Sequence, residues 1–213
     1  MCIRDRPRAK SRVGATGLWQ FMFATGKMYG LNVSSYVDER SDPIKSTEAA
    51  SKYLASLYKI FGDWDLALAA YNSGPGNVSK AIRRSGGYQN YWNIRPNLPR
   101  ETAGYLPAFL ATMYIFEYAE EHGLNPQKPE VTYIETDTIR VKEMISLDQV
   151  SELLEVPMEE LQFLNPSYKL DIIPHIKGEN YTLRLPREKI GLFVTNEDSI
   201  YKYVRAEFAK REK

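Results

Sequence analysis

Ala69-Ala70-Tyr71-Asn72-Ser73-Gly74-Pro75-Gly76-Asn77-Val78 decides how the first half of this chain is read. The alanines, with Leu66 and Ala67 ahead of them, favour a helix, because alanine gives up least on entering one. Asp63 or Asp65 can cap its start with a side-chain oxygen. Ser73-Gly74-Pro75-Gly76 then breaks it, since proline lacks an amide donor and glycine accepts turn conformations. A shorter helix is expected over residues 78–84, closed by Gly86-Gly87. Helix, sharp break, helix is the texture of this whole region.

Working outward, Asp42-Pro43 makes a good helix start, a capping side chain followed by proline at the first helical position. From there Ile44, Tyr53, Leu54, Leu57, Tyr58 and Phe61 mark an apolar stripe that ends at Gly62. Downstream, a last long helix is expected from Leu106 or Pro107 to Glu121, stopped by His122-Gly123. Pro107 fits best in a first turn, which leaves residues 101–105 on the approach. Asn125-Pro126-Gln127-Lys128-Pro129 is a linker by composition, and the period changes beyond it. Residues 131–141 carry β-branched residues and predict a strand. Ser146 and Gln149 form a capping box, followed by Val150, Leu153 and Leu154 on one face. Pro157 opens a second short helix through Leu161 and Leu164, stopped by Asn165-Pro166, and residues 181–186 predict a closing strand. Residues 197–213 predict an exposed amphipathic helix with Ile200, Tyr203, Val204 and Phe208 on one side. The fold class expected is mainly α, followed by a small α+β module.

Charge and cysteine usage narrow the function classes. Lys+Arg 28 against Asp+Glu 27 leaves a net charge of +1 over 213 residues. A nucleic-acid binder would show a clustered basic excess, so none is expected as a partner. The basic start (Arg4, Arg6, Arg8, Lys10, Arg12) reads as a solvated or non-native tail. Cys2 is the one cysteine, which excludes an internal disulfide. With His122 and His175 far apart there is no zinc pattern, and neither metal nor other cofactor is expected. The longest apolar stretch, residues 105–116, falls short of the roughly 18 residues a membrane span needs. No signal peptide is visible.

Three blocks carry a family resemblance. Ser11-Arg12-Val13-Gly14-Ala15-Thr16-Gly17-Leu18-Trp19-Gln20-Phe21-Met22 resembles S-x-x-G-A-x-G-L-x-Q-F-M. The quoted stretch of residues 69–78 resembles A-A-Y-N-x-G-P-G-x-V, and Glu101-Thr102-Ala103-Gly104-Tyr105 resembles E-T-x-x-Y. In this order they resemble the soluble-lytic-transglycosylase and goose-type lysozyme superfamily, with the flavour of its membrane-bound type D murein transglycosylases. The resemblance implies a lysozyme-like helical domain over residues 7–124. Glu159-Glu160-Leu161, Leu164-Asn165-Pro166 and Leu185-Pro186 resemble the end of a LysM pattern, implying a LysM-like module over residues 131–187. The usual glycine-aspartate-threonine turn is replaced there by Lys142-Glu143-Met144. A helical tail over 188–213 completes the expected division.

Members of this family cleave the β-1,4 bond between N-acetylmuramic acid and N-acetylglucosamine without water. One glutamic acid protonates the leaving oxygen, then acts as base while the muramoyl 6-hydroxyl closes a 1,6-anhydro ring. A lone carboxyl suffices because the substrate supplies its own nucleophile, unlike the two-carboxylate glycosidases. Such an acid needs an apolar, partly dry pocket to stay protonated. The resemblance implies that Gln20 and Asn72 contact the sugars, that Tyr71 and Tyr105 border the catalytic position, and that Ser11 meets the peptide stem. It implies a cleft-lining place for Glu101. Read from the residues alone, Tyr71 also fits a core position, Asn72 a helix C-cap and Glu101 a surface cap. Gly14 and Gly17 read as tight-approach backbone positions, and Trp19, Phe21 and Met22 as core or cleft wall.

In the family the catalytic glutamate opens an E-S-x-x-N-P-x-A-x-S run. Pro7, Ala9 and Ser11 fit its end, which places the glutamate at Cys2, the serine at Ile3 and the asparagine at Arg6. Met1–Arg6 therefore reads as foreign sequence on an N-terminally truncated chain, with no catalytic residue present and no cleavage expected. The implied partner is the peptidoglycan glycan strand, in the periplasm or at the outer membrane. Any membrane attachment is expected through an N-terminal anchor absent from this chain, and the oligomeric state is open. The competing reading is a non-catalytic peptidoglycan-binding protein.

Overall fold

Residues 7–127 and 135–211 are described by a computed structural model of the chain. Expectations on Met1–Arg6, on Lys128-Pro129 and on residues 130–134 lie outside the described residues. The chain divides into two compact units, Glu48–Lys128 on the one hand and Met1–Thr47 with Pro129–Lys213 on the other.

The Glu48–Lys128 unit is helical. α2 (Pro43–Phe61), which crosses the boundary between units, starts at Pro43 as expected, where Asp42 Oδ1 accepts the amides of Ile44 and Lys45, both at 2.9 Å. The short α1 (Phe23–Met28) precedes it. Of the predicted stripe, Leu57 is buried and Tyr53 and Phe61 pack against the core, but Ile44 and Tyr58 are exposed. α3 (Trp64–Ser73) is capped by Asp63, whose carboxylate accepts from Leu66 N at 2.8 Å. Gly74, at φ 86°, ends α3 and lets α4 (Pro75–Arg84) begin at once. α4 thus starts three residues before the expected position, because proline at the first helical position sacrifices no bond. After α5 (Tyr91–Ile94) comes α6 (Arg100–Glu117). Leu57, Leu66, Ala67, Ala70, Val78, Ala81, Tyr91, Ile94 and Leu106 fill the space between these helices.

α6 corrects the sequence reading. It begins at Arg100, so residues 101–105 are helical and Pro107 lies inside the helix. An interior proline leaves the carbonyl four residues earlier without its amide partner. That carbonyl, Ala103 O, accepts instead from Tyr91 Oη at 2.9 Å and Arg95 Nε at 2.9 Å. The replacement bonds are tertiary, which is why spacing along the chain missed them.

In the other unit, β1 (Thr136–Arg140) pairs antiparallel with β4 (Thr182–Pro186), and β2 (Ile145–Ser146) with β3 (Ile172–Ile173). α7 (Leu147–Leu154) and α8 (Met158–Leu164) lie between them in sequence, so the expected strand, helix, helix, strand order is present. Within the described part of the predicted residues 131–141, β1 takes residues 136–140. Gln149 Oε1 accepts from Ser146 N at 3.1 Å, one half of the expected capping box. The predicted exposed tail is corrected: α9 (Arg187–Thr195) and α10 (Glu197–Arg211) bury Phe193, Ile200, Tyr201 and Val204 in the module core. Tyr201, and not Tyr203, is the buried tyrosine of α10. The altered turn is held by the same helix, through Lys142–Glu197 and Glu143–Arg205 ion pairs and a 2.9 Å bond from Lys142 N to Tyr201 Oη.

Residues 7–47, expected within a helical domain reaching 124, are grouped with this module. Val37 joins its core. Asp38 N donates to Ser167 O at 2.8 Å and Lys169 N to Tyr36 O at 2.9 Å. Arg8 donates to Pro166 O, Tyr168 O and Asp171 Oδ1. Burial pushes the Tyr168 phenol well above its ordinary pKa, so it remains a donor to Thr182 O at 2.6 Å.

Asn165, read from sequence as a helix stop, is a buried cross-link. Its Nδ2 donates to Leu161 O at 2.9 Å and Arg184 O at 2.8 Å, and its Oδ1 accepts from Arg184 N at 2.8 Å. Asn165→Ala would orphan the N–H and the carbonyl of Arg184, while Leu161 O keeps the amide of residue 165, for an expected loss of about 2–4 kcal/mol. Hydrogen exchange at the Arg184 amide should speed up accordingly. Unchanged protection there would refute the cross-linking role.

Candidate functional site

The first block forms a loop that closes on itself. Ser11 N donates to Ala15 O at 2.8 Å, Ser11 Oγ accepts from Ala15 N at 3.0 Å, and Thr16 and Phe21 exchange bonds at 3.1 Å. Gln20 has φ 50°, in the left-handed region. Its Nε2 donates to Gly17 O at 2.7 Å and Ala9 O at 3.3 Å. The donor end of this amide is therefore committed to the loop, and among the described residues no donor takes Oε1. Trp19 Nε1 donates to Thr47 Oγ1 at 2.8 Å; Phe21 is buried and Met22 exposed.

Arg40 holds this loop in place, and sequence reading missed it. The residue is 6% exposed. Its Nε and Nη2 grip both carboxylate oxygens of Asp38, at 2.9 and 2.7 Å. Nη1 donates to Gly14 O at 3.0 Å and Phe21 O at 3.1 Å, the two sides of the loop. Charged side chains are exposed by default, and the pair Asp38, Arg40 carries no periodic signal that would mark it otherwise.

The two glycines of the block differ in what they do. Both have left-handed φ, 85° for Gly14 and 83° for Gly17. A Cβ on Gly17 would meet Arg40 O at 1.8 Å, whereas one on Gly14 would meet nothing within 4 Å. Tight approach therefore applies to Gly17 alone, and Gly14 is required for its φ. Gly14→Ala should cost about 1–2 kcal/mol, the left-handed penalty of an L-residue. Gly17→Ala adds overpacking against backbone, for about 2–4 kcal/mol together. Equal losses in chemical denaturation would show that the Arg40 contact relaxes freely.

The second and third blocks meet in the helical unit. Tyr71 and Asn72 lie in the last turns of α3, with the Tyr71 ring 5.3 Å from that of Tyr53. Gly74 is the cap residue, so Asn72 is inside the helix and the C-cap alternative is corrected. Asn72 Oδ1 accepts from Thr102 Oγ1 at 2.8 Å. Glu101 is exposed in the first turn of α6, where a carboxylate is favoured by the helix dipole. Tyr105 is half-buried one turn further along. Tyr91 Oη also donates to Thr102 O at 3.1 Å, and burial raises the Tyr91 pKa, which keeps that proton in place. Thr102 and Tyr91 are further residues that sequence reasoning did not single out. Ser11 and Gln20 stand in one unit, and Tyr71, Asn72, Glu101 and Tyr105 in the other.

Comparison with known proteins finds two family models on the chain. Residues 5–94 match the transglycosylase SLT domain. Residues 135–202 match the LysM-like domain of lytic transglycosylase MltD. The membrane-bound lytic murein transglycosylase D of Escherichia coli (strain K12) is 33% identical over 168 residues, which is 76% of this chain and 36% of that protein. The soluble lytic murein transglycosylase of the same strain is 33% identical over 118 residues, 53% of this chain and 18% of that one. The crystal structure of the 70 kDa soluble lytic transglycosylase from Escherichia coli aligns with a TM-score of 0.45 at 32% identity, over 54% of this chain and 19% of that one. This chain spans about a third of the length of the type D relative.

Proposed function

The chain belongs by homology to the lytic murein transglycosylases, carrying an SLT domain and an MltD LysM-like domain, and from that premise we propose that it acts on the glycan strands of bacterial peptidoglycan. The reaction is non-hydrolytic cleavage of the N-acetylmuramic acid–β-1,4–N-acetylglucosamine bond, leaving 1,6-anhydromuramoyl ends during cell-wall remodelling. Its place is the periplasm or the periplasmic side of the outer membrane. Ser11, Gln20, Tyr71, Asn72, Glu101 and Tyr105 form the substrate-contacting set. The observation that carries this reading is the 2.8 Å bond joining Asn72 of one family block to Thr102 of another.

The 213-residue chain itself is inert in cleavage, since the family position of the catalytic glutamate falls on Cys2, outside the described residues. Cys2 at that position also favours the second reading, a protein that holds peptidoglycan without cutting it. Incubation of the purified chain with peptidoglycan sacculi, followed by mass analysis of the soluble fraction, tests both. Anhydromuropeptides above the blank from the unmodified chain would refute inertness. A version with family-like sequence in place of residues 1–6, including glutamate at position 2, should release them. Should that version bind sacculi and release nothing, the holding function is the correct one.

A further inference from the structure

We propose that Thr102 is a positioning residue that fixes the side-chain amide of Asn72 in one of its two orientations, so that its Nδ2 donor end is presented to a ligand carbonyl. An asparagine amide has an acceptor end and a donor end of nearly equal size, and only its partners decide which end points where. Here the acceptor end is occupied: Asn72 Oδ1 accepts from Thr102 Oγ1 at 2.8 Å. The donor end is not, because among the described residues no protein acceptor takes Asn72 Nδ2. Asn72 is half-buried, so those hydrogens remain reachable.

Thr102 is built for this task. It is 1% exposed, and its β-branched side chain has few rotamers open to it in a helix. Its backbone is anchored from behind, with the single Tyr91 Oη proton shared between Thr102 O at 3.1 Å and Ala103 O at 2.9 Å. Arg95 Nε adds a second bond to Ala103 O at 2.9 Å. Pro107 is what frees Ala103 O for these donors. The first turn of α6 is thereby tied to α5, and the hydroxyl it carries is held against the end of α3. The group such a neutral N–H donor suits is a carbonyl oxygen in a neutral ligand, such as the acetamido oxygen of an N-acetylated sugar. This inference rests on the glycan reading of the preceding subsection.

The test uses the 213-residue chain and a β-1,4-linked N-acetylglucosamine hexamer, with Kd measured calorimetrically and the Asn72 side-chain amide followed by 15N–1H NMR. Thr102→Val keeps the shape and removes the hydroxyl, and should weaken binding about 3- to 10-fold, the worth of one net hydrogen bond. Thr102→Ser should bind within about twofold of the unmodified chain, since it restores the donor. Asn72→Ala should weaken binding at least as much as Thr102→Val, and adding Thr102→Val to it should change nothing more. Thr102→Val should also move the Asn72 Nδ2 signals, and Thr102→Ser should return them. Weaker binding by Asn72→Ala beside unchanged binding by Thr102→Val overturns the role of Thr102 and leaves the glycan reading standing. A Thr102→Ser variant as weak as Thr102→Val overturns it too, because the methyl and not the hydroxyl then matters. Full-strength binding by Asn72→Ala, or no binding by the unmodified chain, overturns the glycan contact instead. In that case Nδ2 signals unmoved by Thr102→Val reject the orienting role on their own.

Discussion

Arg40→Met is expected to destabilise the Met1–Thr47 and Pro129–Lys213 unit by about 3–5 kcal/mol, the usual cost of removing one partner from a buried ion pair. The arithmetic favours the upper part of that range. Arg40 and Asp38 have side chains only 7% and 10% exposed, and both carboxylate oxygens are gripped by the guanidinium. Methionine can fill the aliphatic volume but supplies no donors. Asp38 then keeps only the 3.2 Å bond from the residue 40 amide in a dry site, and the carbonyls of Gly14 and Phe21 lose their shared partner as well. Urea unfolding should show the loss as a lower midpoint. Hydrogen exchange across residues 14–21 should show it as lost protection confined to that unit. Asp38→Asn together with Arg40→Met should cost less than Arg40→Met alone, since no charge is left stranded. A single variant within about 1 kcal/mol of the unmodified protein, or a double variant at the sum of the singles, would reject the ion pair as the support of this loop.

Restoring a glutamate at position 2 within family-like sequence is expected to raise release of anhydromuropeptides by at least about 10²-fold, the low end of what general acid–base help contributes. Here one residue would serve both proton transfers, so its absence removes both. Cys2 does not replace it. A thiol has a pKa of about 8.5 and gives up its proton to a glycosidic oxygen poorly, and its side chain is shorter than that of glutamate. The residues proposed to contact the glycan need no alteration in this experiment, because Gln20, Asn72 and Tyr105 are already present. A carboxylate introduced as Cys2→Glu alone, without the family-like residues 3–6, should recover less. Equal recovery by the two versions would mean that the position of the carboxylate needs no support from its neighbours.

What the sequence determined by itself was the run of helices and the place of the breaks. Asp42-Pro43, Asp63 and Gly74-Pro75 act within one or two turns of chain, so their effect is local and legible. The order of strand, helix, helix, strand after the linker was legible for the same reason, and the three blocks carried the family. Tertiary structure decided the rest. α6 runs through Pro107 only because Tyr91 and Arg95, some ten residues back, satisfy the carbonyl that proline leaves bare. The last two helices belong to the module core because Phe193, Tyr201 and Val204 find apolar partners in strands and helices far earlier in the chain. Residues 7–47 pack with that module through Val37, Asp38 and Arg8, none of which sits in a periodic pattern. In the candidate site the division is the same. Family resemblance singled out Gln20 and Asn72, but the groups that hold their amides are the carbonyls of Ala9 and Gly17 for the one and the hydroxyl of Thr102 for the other. A hydrogen bond between residues 30 apart, or an arginine buried against a loop 26 residues away, leaves no trace in local periodicity. Only the folded chain brings those donors within hydrogen-bonding reach of their acceptors.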